Sequence, residues 1–296
     1  MSTAERRVFT PLKIGPIELR NRTVRSAAFE GMAPGGLPSE SLLRYHRSVA
    51  AGGIGMTTVA YVAVHRSGLT FDHQMCMGEE IVPGLRELTD AVHAEGAAAS
   101  VQLGHSGHIA PKAVTGQRPV APSAVFVLAG PAFPKAMTEA EIEELIDAYG
   151  RAVTFAKEAG FDAVEVHAGH GYLVSQFLCP HTNRRTDKWG GSLDNRARLA
   201  RAVVARARQA AGTDMAVVVK TNTSDGFAGG LGVEECVEVA QMLEGEGADA
   251  FVLSGGFVSQ SAMYLMRGEV PRKELARGQP SLFKKLGVIF GSRLVL

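Results

Sequence analysis

The sequence predicts an α/β fold of the (β/α)8, or TIM-barrel, type. Short apolar runs alternate with amphipathic helical patterns, and most loops after the apolar runs are polar and contain glycine. Nearly half of the 296 residues (46%) are hydrophobic, which is enough for a large core. An open doubly wound sheet is the alternative. That fold requires a glycine-rich phosphate turn after its first strand, and the segment Ser26–Gly31 is not one.

Six segments are predicted to be strands, because each is a short apolar run bounded by turn residues. In chain order they are Thr23–Ala28, Met56–Val64, Ala98–Leu103, Asp162–His167, Met215–Asn222 and Asp249–Ser254. Helices are predicted near residues 40–51, 84–95, 139–158, 195–210 and 234–246. The third helix has the clearest start, because Thr138 and Glu141 have the spacing of a capping box.

The rest of the sequence does not supply two further strand–helix units. After Ser254 it offers one weak apolar run, Leu286–Phe290, and it ends on Arg-Leu-Val-Leu. A closed barrel of this type needs eight strands. We therefore expect residues 1–296 to form a single, incomplete barrel domain that stops after about six βα units, without strands seven and eight.

Composition and charge narrow the class of protein. The formal net charge of +1 argues against a broad electrostatic attraction to nucleic acid or to an anionic membrane. The first residues are charged and broken by prolines, and no apolar run reaches membrane-spanning length. Cys76, Cys179 and Cys236 are odd in number and far apart, which indicates reduced thiols. These features predict a cytoplasmic protein that acts on a small molecule.

Chemically active side chains concentrate at the end of the fourth predicted strand. Alternation points Glu165 and His167 inward, and His170 and Tyr172 follow in the turn. Two imidazoles can donate hydrogen bonds to a developing oxyanion, and a phenol can deliver a proton. The group therefore predicts a site that reduces a polarised double bond. The structural alternative is that these side chains only satisfy backbone groups in a tight turn.

A metal site is a competing hypothesis, since His167 and His170 form a His-x-x-His pair and His105 and His108 form another. Zinc sites generally need a third protein ligand, and no placed cysteine or further histidine pair offers one. We predict no metal site, and metal-dependent hydrolysis remains a distant alternative.

Two further side chains are predicted to point into the barrel from neighbouring strands. Gln102 lies on the inward face of the third strand, where its amide can pair with a heterocycle. Lys220 lies on the inward face of the fifth strand. A buried lysine is costly without an anion, so we expect either Glu165 or an anionic cofactor beside it, with the cofactor favoured.

The segment that begins at His167, HAGHGYLVSQFLCPHTNRRTDKWGGSLDNRAR, resembles the central motif of the old yellow enzyme family of FMN-dependent NAD(P)H:flavin oxidoreductases. The resemblance runs in register from Phe9–Leu12, through Leu19–Arg22 and Val101–His105, to Ser254–Gly256. It covers nearly the whole chain. The resemblance implies FMN as cofactor, NADH or NADPH as reductant, and hydride transfer through flavin N5 to an activated alkene.

The resemblance also implies roles for individual residues. His167 and His170 match the pair that holds the substrate's oxygen, and Tyr172 matches the proton donor. On the cofactor side, Gln102 matches the amide at the flavin's pyrimidine edge and Lys220 the cation near flavin N1.

Two further positions, Ala28 and Ala60, match the lining of the flavin. Residues of the following loop match the family but are interpreted as structural; they are Asn183, Arg185, Asp187, Gly190, Gly191, Asn195 and Arg196.

Two departures from the family pattern matter. Phe29 stands where the family usually carries a threonine or cysteine that hydrogen-bonds the flavin. The loops after strands seven and eight, which hold the FMN phosphate in this family, are expected to be missing. We therefore expect this chain alone to bind FMN weakly or not at all. The alternative to an enzyme is a truncated, non-catalytic remnant that acts only by binding or by complementation with another chain.

Overall fold

The computed structural model describes residues 7–126 and 133–261. Six parallel strands form one sheet, and their order in the sheet is their order in the chain. We label them β1 (Val24–Arg25), β2 (Met56–Ala63), β3 (Ala98–Gly104), β4 (Ala163–Ala168), β5 (Ala216–Asn222) and β6 (Ala250–Ser254). This arrangement confirms the predicted α/β class and the barrel topology up to the sixth strand.

The sheet is curled into a half-barrel. Three strands separate β1 from β5, and in a flat sheet a spacing of about 4.8 Å would place them about 19 Å apart. Yet Lys220 Nζ, on β5, lies 3.1 Å from the Oγ atom of Ser26, directly after β1. A lysine side chain cannot span the flat-sheet distance. The sheet must therefore wrap around a common interior into which Lys220 projects.

The helices lie between the strands in chain order. They are α1 (Glu40–Ala51), α2 (Val82–Ala94), α3 (Lys112–Thr115), α4 (Glu139–Glu158), α5 (Leu173–Leu178), α6 (Leu193–Ala211), α7 (Val233–Gly245) and α8 (Val258–Ser261). Short 3-10 turns occur at Arg7–Phe9, Pro34–Gly36, Arg66–Gly68, Glu79–Ile81 and Gly107–Ile109. The five predicted helices are present within two residues at each end. The capping box at the start of α4 is also confirmed, with Thr138 and Glu141 bonded reciprocally.

The predicted strands agree with β2 to β6 within one residue at each end, but the prediction for β1 was wrong in extent. Only Val24 and Arg25 pair with β2, and the chain then turns into the barrel interior. Beyond that point the side chain of Glu30 accepts a hydrogen bond from the backbone of Ala60 on β2. Side-chain hydrogen bonds to β2 thus replace the backbone pairing that was expected from a longer β1.

Alternation along the strands sorts side chains between two environments. Val164 and Val166 face outward and join the large apolar cluster formed with the helices. Ala163 and Val218 belong to a second cluster, which the N-terminal hairpin shares. That hairpin, Leu12–Ile14 paired with Ile17–Leu19, was not predicted, because three-residue strands are too short to show a period.

The long segment between β3 and α4 contains α3 and a parallel strand pair, Val120–Ala121 with Lys135–Ala136. The predicted apolar run Leu286–Phe290 lies outside the described residues. All three cysteines are free of disulfides. Among the helices in the described ranges, none has the length and apolar character needed to cross a membrane.

Candidate active site

The structure brings together the three side chains predicted at the end of β4. The ring centroids of His167 and His170 lie 5.0 Å apart, and those of His167 and Tyr172 lie 4.5 Å apart. Tyr61 on β2 contacts the same group, with its ring 5.1 Å from Tyr172 and 6.2 Å from His167. The sequence did not single out Tyr61, because a tyrosine within an apolar strand is typical of an ordinary core residue.

The turn after β4 holds His170 in an unusual backbone conformation. Its φ is +59°, and it is the one residue other than glycine with a positive φ in the described ranges. The backbone N–H of His170 donates to Asn222 Oδ1 at 3.0 Å, and its Nε2 lies 2.6 Å from Ser254 Oγ. Val258 N–H donates to the His170 carbonyl oxygen at 2.9 Å. Contacts from β5 and α8 thus hold the His170 backbone, and Ser254 on β6 contacts its imidazole.

Both histidines are neutral near pH 7. Burial, together with the nearby His170 and Lys220, lowers the pKa of His167 well below its usual value. Burial and the Lys220 ammonium lower the pKa of His170 to about 4. The Gly169 N–H donates to His167 Nδ1 at 3.3 Å. In the neutral ring this bond leaves the proton on Nε2, so His167 presents an N–H donor.

Tyr172 remains protonated at neutral pH, because burial raises the pKa of its phenol. Its hydroxyl is therefore able to give up a proton rather than accept one. A neutral imidazole donor and a protonated phenol lie side by side, which is the combination needed to polarise an oxygen and protonate a neighbouring carbon.

Gln102, Glu165 and Lys220 form a buried polar network across β3, β4 and β5. Lys220 Nζ lies 3.1 Å from Glu165 Oε1, and the same oxygen accepts a hydrogen bond from Gln102 Nε2 at 2.6 Å. The Glu165 and Lys220 side chains are only 2% and 4% exposed. Of the two partners expected for Lys220, the structure therefore provides Glu165. The prediction that all three side chains point inward is confirmed.

Lys220 also joins the end of β1 to the network. Its Nζ donates to the carbonyl oxygen of Ala27 at 3.3 Å, in addition to its contact with Ser26 Oγ. The Ala28 carbonyl oxygen accepts a hydrogen bond from Arg25 Nη2 at 3.1 Å. The segment that carries Ala28 is thus fixed from both sides.

Ala60 lies within β2, three residues before the strand ends, and its backbone N–H donates to both carboxylate oxygens of Glu30, at 3.2 and 3.3 Å. Sequence reasoning missed Glu30, because a single glutamate after a short strand gives no signal that separates it from a solvated loop residue. Phe29 is 47% exposed and stacks on Phe71 with ring centroids 4.7 Å apart. Phe29, Glu30, Ala60 and Tyr61 line one cleft.

The residues present fit the isoalloxazine ring of a flavin. The pyrimidine edge of that ring carries both hydrogen-bond donors and acceptors, which suits the Gln102 amide. The reduced ring carries negative charge, which suits the buried Lys220 ammonium. The phosphate-binding loops that the family places after the sixth strand would fall outside the described residues.

The second His-x-x-His pair is engaged with protein groups. His105 Nε2 lies 2.8 Å from Ser67 Oγ, and His108 Nε2 lies 3.0 Å from Ser259 Oγ. In residues 7–126 and 133–261, no three His, Cys, Asp or Glu side chains group as metal ligands. The structural interpretation of the later loop also has support, since Asn183 Nδ2 donates to two backbone carbonyl oxygens at 2.7 Å.

Acidification below pH 6.5 is expected to destabilise the fold. Burial is the main cause that lowers the pKa of four histidines: His105 to about 3, His108 and His170 to about 4, and His167 well below its usual value. In the unfolded chain these groups titrate near 6.5, so the unfolded state binds protons first. Each therefore removes about 1.4 kcal/mol of stability per pH unit between 6.5 and its folded pKa.

Thermal melts at pH 7.5 and pH 5.5 would measure this effect. His93 opposes it, because its hydrogen bond to Asp162 raises the pKa of that imidazole. One opposing group does not cancel four. A His108→Gln variant should lose less stability on acidification than the unmodified chain, and equal melting temperatures at the two pH values would contradict the account.

Comparison with known proteins agrees with this geometry. The profile of the NADH:flavin oxidoreductase / NADH oxidase family matches residues 7–261. The 4,4'-dithiodibutanoate disulfide reductase of Rhodococcus erythropolis is 44% identical over 276 residues, or 93% of this chain and 68% of that protein. A metal reductase of Desulforamulus reducens is 37% identical over 250 residues, or 84% of this chain and 37% of that protein.

Solved structures give the same family. A 2-naphthoyl-CoA reductase in complex with 2-naphthoyl-CoA matches with a TM-score of 0.82 and 31% identity, over 95% of this chain and 45% of that one. The old yellow enzyme homologue of Zymomonas mobilis matches with a TM-score of 0.77 and 25% identity, over 96% and 85%. The chain thus spans less than half the length of two of these four proteins. It belongs to the NADH:flavin oxidoreductase / NADH oxidase family, the old yellow enzyme family.

Proposed function

We propose that this chain binds FMN and reduces an activated alkene, such as an enone, at the expense of NADH or NADPH. The observation that carries the proposal is the pair of neutral imidazoles beside a protonated tyrosine at the end of β4, next to the buried Lys220. Bound FMN would supply the redox step, taking a hydride at N5 and passing it to the β-carbon of the substrate.

The protein's own residues orient the substrate and manage its charge and proton. We expect the imidazoles of His167 and His170 to hold the substrate's carbonyl oxygen, which draws electrons from the double bond. Tyr172, 4.5 Å from His167 between ring centroids, then protonates the α-carbon. The Lys220 ammonium stabilises negative charge at the buried end of the site.

Replacing Tyr172 with phenylalanine is expected to slow alkene reduction by about 10²- to 10⁴-fold, the usual contribution of a positioned proton donor. Reduction of the flavin by NADPH should keep its rate, because that step needs no proton from the phenol. Stopped-flow absorbance measures the two half-reactions separately. The matched control is Tyr149→Phe on α4, which removes a buried hydroxyl that lacks a hydrogen-bond partner in the described structure. Equal slowing of both half-reactions by Tyr172→Phe would contradict its assignment.

Anaerobic turnover with NADPH and 2-cyclohexenone tests the proposed function. We expect one cyclohexanone formed for each NADPH oxidised, detected by gas chromatography. A flavin-loaded protein that oxidises no NADPH with any enone would refute alkene reduction, and would leave disulfide reduction or a role limited to binding or complementation.

Reduction of a disulfide is a second candidate, because the 44% identical relative from Rhodococcus erythropolis is by name a disulfide reductase. A disulfide has no α-carbon to protonate, and its thiolate products take protons from water. Tyr172→Phe should therefore spare disulfide reduction while slowing alkene reduction. The ratio of the two activities in this variant separates the candidates.

A further inference from the structure

We propose that Arg25 and Glu30 form a positioning pair that replaces the backbone ladder at the end of β1 and thereby shapes one wall of the flavin site. This inference rests on the proposed function, because it concerns the same cofactor. It goes further in assigning a role to two side chains that neither touch the reacting group nor stand among the residues predicted from the sequence.

The side chains of Arg25 and Glu30 make hydrogen bonds to the backbone of β2 where β1 no longer pairs with it. β1 pairs with β2 only at Val24 and Arg25, so the next backbone groups of β2 that point away from β3 have no strand partner among the described residues. Arg25 Nη1 donates to the carbonyl oxygen of Thr58 at 2.5 Å, and Glu30 accepts from the Ala60 N–H. The two side chains are joined by an ion pair of 2.7 Å. Together they satisfy the ladder groups that a longer β1 would have bonded.

The Arg25–Glu30 pair is largely buried, and His46 on α1 packs against it. The Glu30 side chain is 5% exposed and that of Arg25 is 14% exposed. His46 on α1 is fully buried, with its Nε2 3.4 Å from Glu30 Oε1 and its Nδ1 2.8 Å from Thr57 Oγ1. Since a desolvated ion pair depends on close geometry, either partner left alone would be strongly unfavourable. The Arg25–Glu30 pair is therefore specified far more tightly than a surface salt bridge.

The consequence reaches the cofactor site through the backbone. Because side chains complete the ladder, residues 26–29 are free to turn into the half-barrel. There Ser26 and Ala27 contact the Lys220 ammonium, while Arg25 Nη2 holds the Ala28 carbonyl oxygen. Glu30 fixes the Ala60 amide, and both residues line one cleft together with Phe29, which directly follows Ala28. The pair thus sets the relative positions of the two alanines proposed to line the flavin.

Two variants and one control test this role. Glu30→Gln keeps the shape of the side chain but removes its charge and presents an NH₂ group to Arg25. Arg25→Lys keeps the charge but cannot donate in a fork to Thr58, Ala28 and Glu30 together. The control is Glu40→Gln, which breaks the exposed ion pair with Arg44 on α1, where the side chains are 78% and 65% exposed.

The readouts are the Kd for FMN, from fluorescence titration, and the absorption spectrum of the bound flavin. Both Glu30→Gln and Arg25→Lys should raise the Kd at least tenfold and shift the visible bands of the flavin that still binds. Glu40→Gln should change neither. A merely structural role would lower the melting temperature without moving the spectrum of the bound flavin. Circular dichroism identifies a variant that fails to fold. If Glu30→Gln does not fold, the Kd for FMN and the flavin spectrum of Arg25→Lys, the milder change, test the proposal.

The outcomes separate this proposal from the proposed function. If the unmodified chain does not bind FMN, the proposed function fails and this proposal fails with it. If it binds FMN, and both variants match it within twofold with an unshifted spectrum, only the positioning pair is refuted.

Discussion

Replacing Lys220 with methionine is expected to abolish FMN retention and to destabilise the fold. The substitution leaves the Glu165 carboxylate 2% exposed, and within the described residues the Gln102 amide is its one remaining partner. Removing one member of a buried ion pair costs about 3–5 kcal/mol, because the remaining charge is uncompensated. The cofactor site would also lose its positive charge. Thermal melts and FMN titration measure the two effects.

A double variant distinguishes the effect on stability from the effect on the cofactor. Glu165→Gln combined with Lys220→Met removes both charges, and a glutamine at 165 can still bond to Gln102. We expect the double variant to recover most of the lost stability but not the affinity for FMN. A Lys220→Met protein that binds FMN as tightly as the unmodified chain would contradict the role given to Lys220.

Replacing His167 with alanine should lower kcat/KM for 2-cyclohexenone by about 10²- to 10³-fold, the usual effect of losing one donor to a developing oxyanion. The imidazole is neutral and presents Nε2–H, so its loss removes a hydrogen bond that strengthens as charge develops on the substrate's oxygen. The rate of flavin reduction by NADPH serves as an internal reference, and steady-state kinetics over a range of enone concentrations measure the change.

Two substitutions of His170 should differ in their effects, because the backbone at this position has a positive φ. Asparagine tolerates a positive φ and donates through its amide, so His170→Asn should keep activity within about tenfold. His170→Val removes the donor and places a β-branched residue at φ +59°, so it should lose both activity and stability. If His167→Ala and His170→Val both kept full activity, the two imidazoles would not be the oxygen-binding pair.

The sequence predicts the parts of this structure that follow from local pattern. Period-two alternation placed Glu165 and His167 on the inner face of β4 and the two valines outside, and the structure agrees. The spacing of Thr138 and Glu141 predicted the start of α4. Such features are readable because neighbouring residues determine them.

The parts that escaped prediction depend on contacts between distant segments. The end of β1 is set by Arg25 and Glu30 reaching across to β2, a bond pattern with no local signature. Tyr61 enters the active site only because β2 and β4 share the interior of the half-barrel. The positive φ of His170 depends on partners on β5 and β6. No periodicity within one segment encodes these contacts.

The most direct test of the account is a visible absorption spectrum of the purified protein with excess FMN, recorded before and after anaerobic addition of NADPH. We propose that the residues toward the carboxyl ends of β3, β4 and β5 form a working flavin site. We expect a protein-perturbed flavin band that bleaches on addition of NADPH and returns on addition of an enone. A spectrum identical to that of free FMN, unchanged by the protein and not bleached by NADPH, would contradict it.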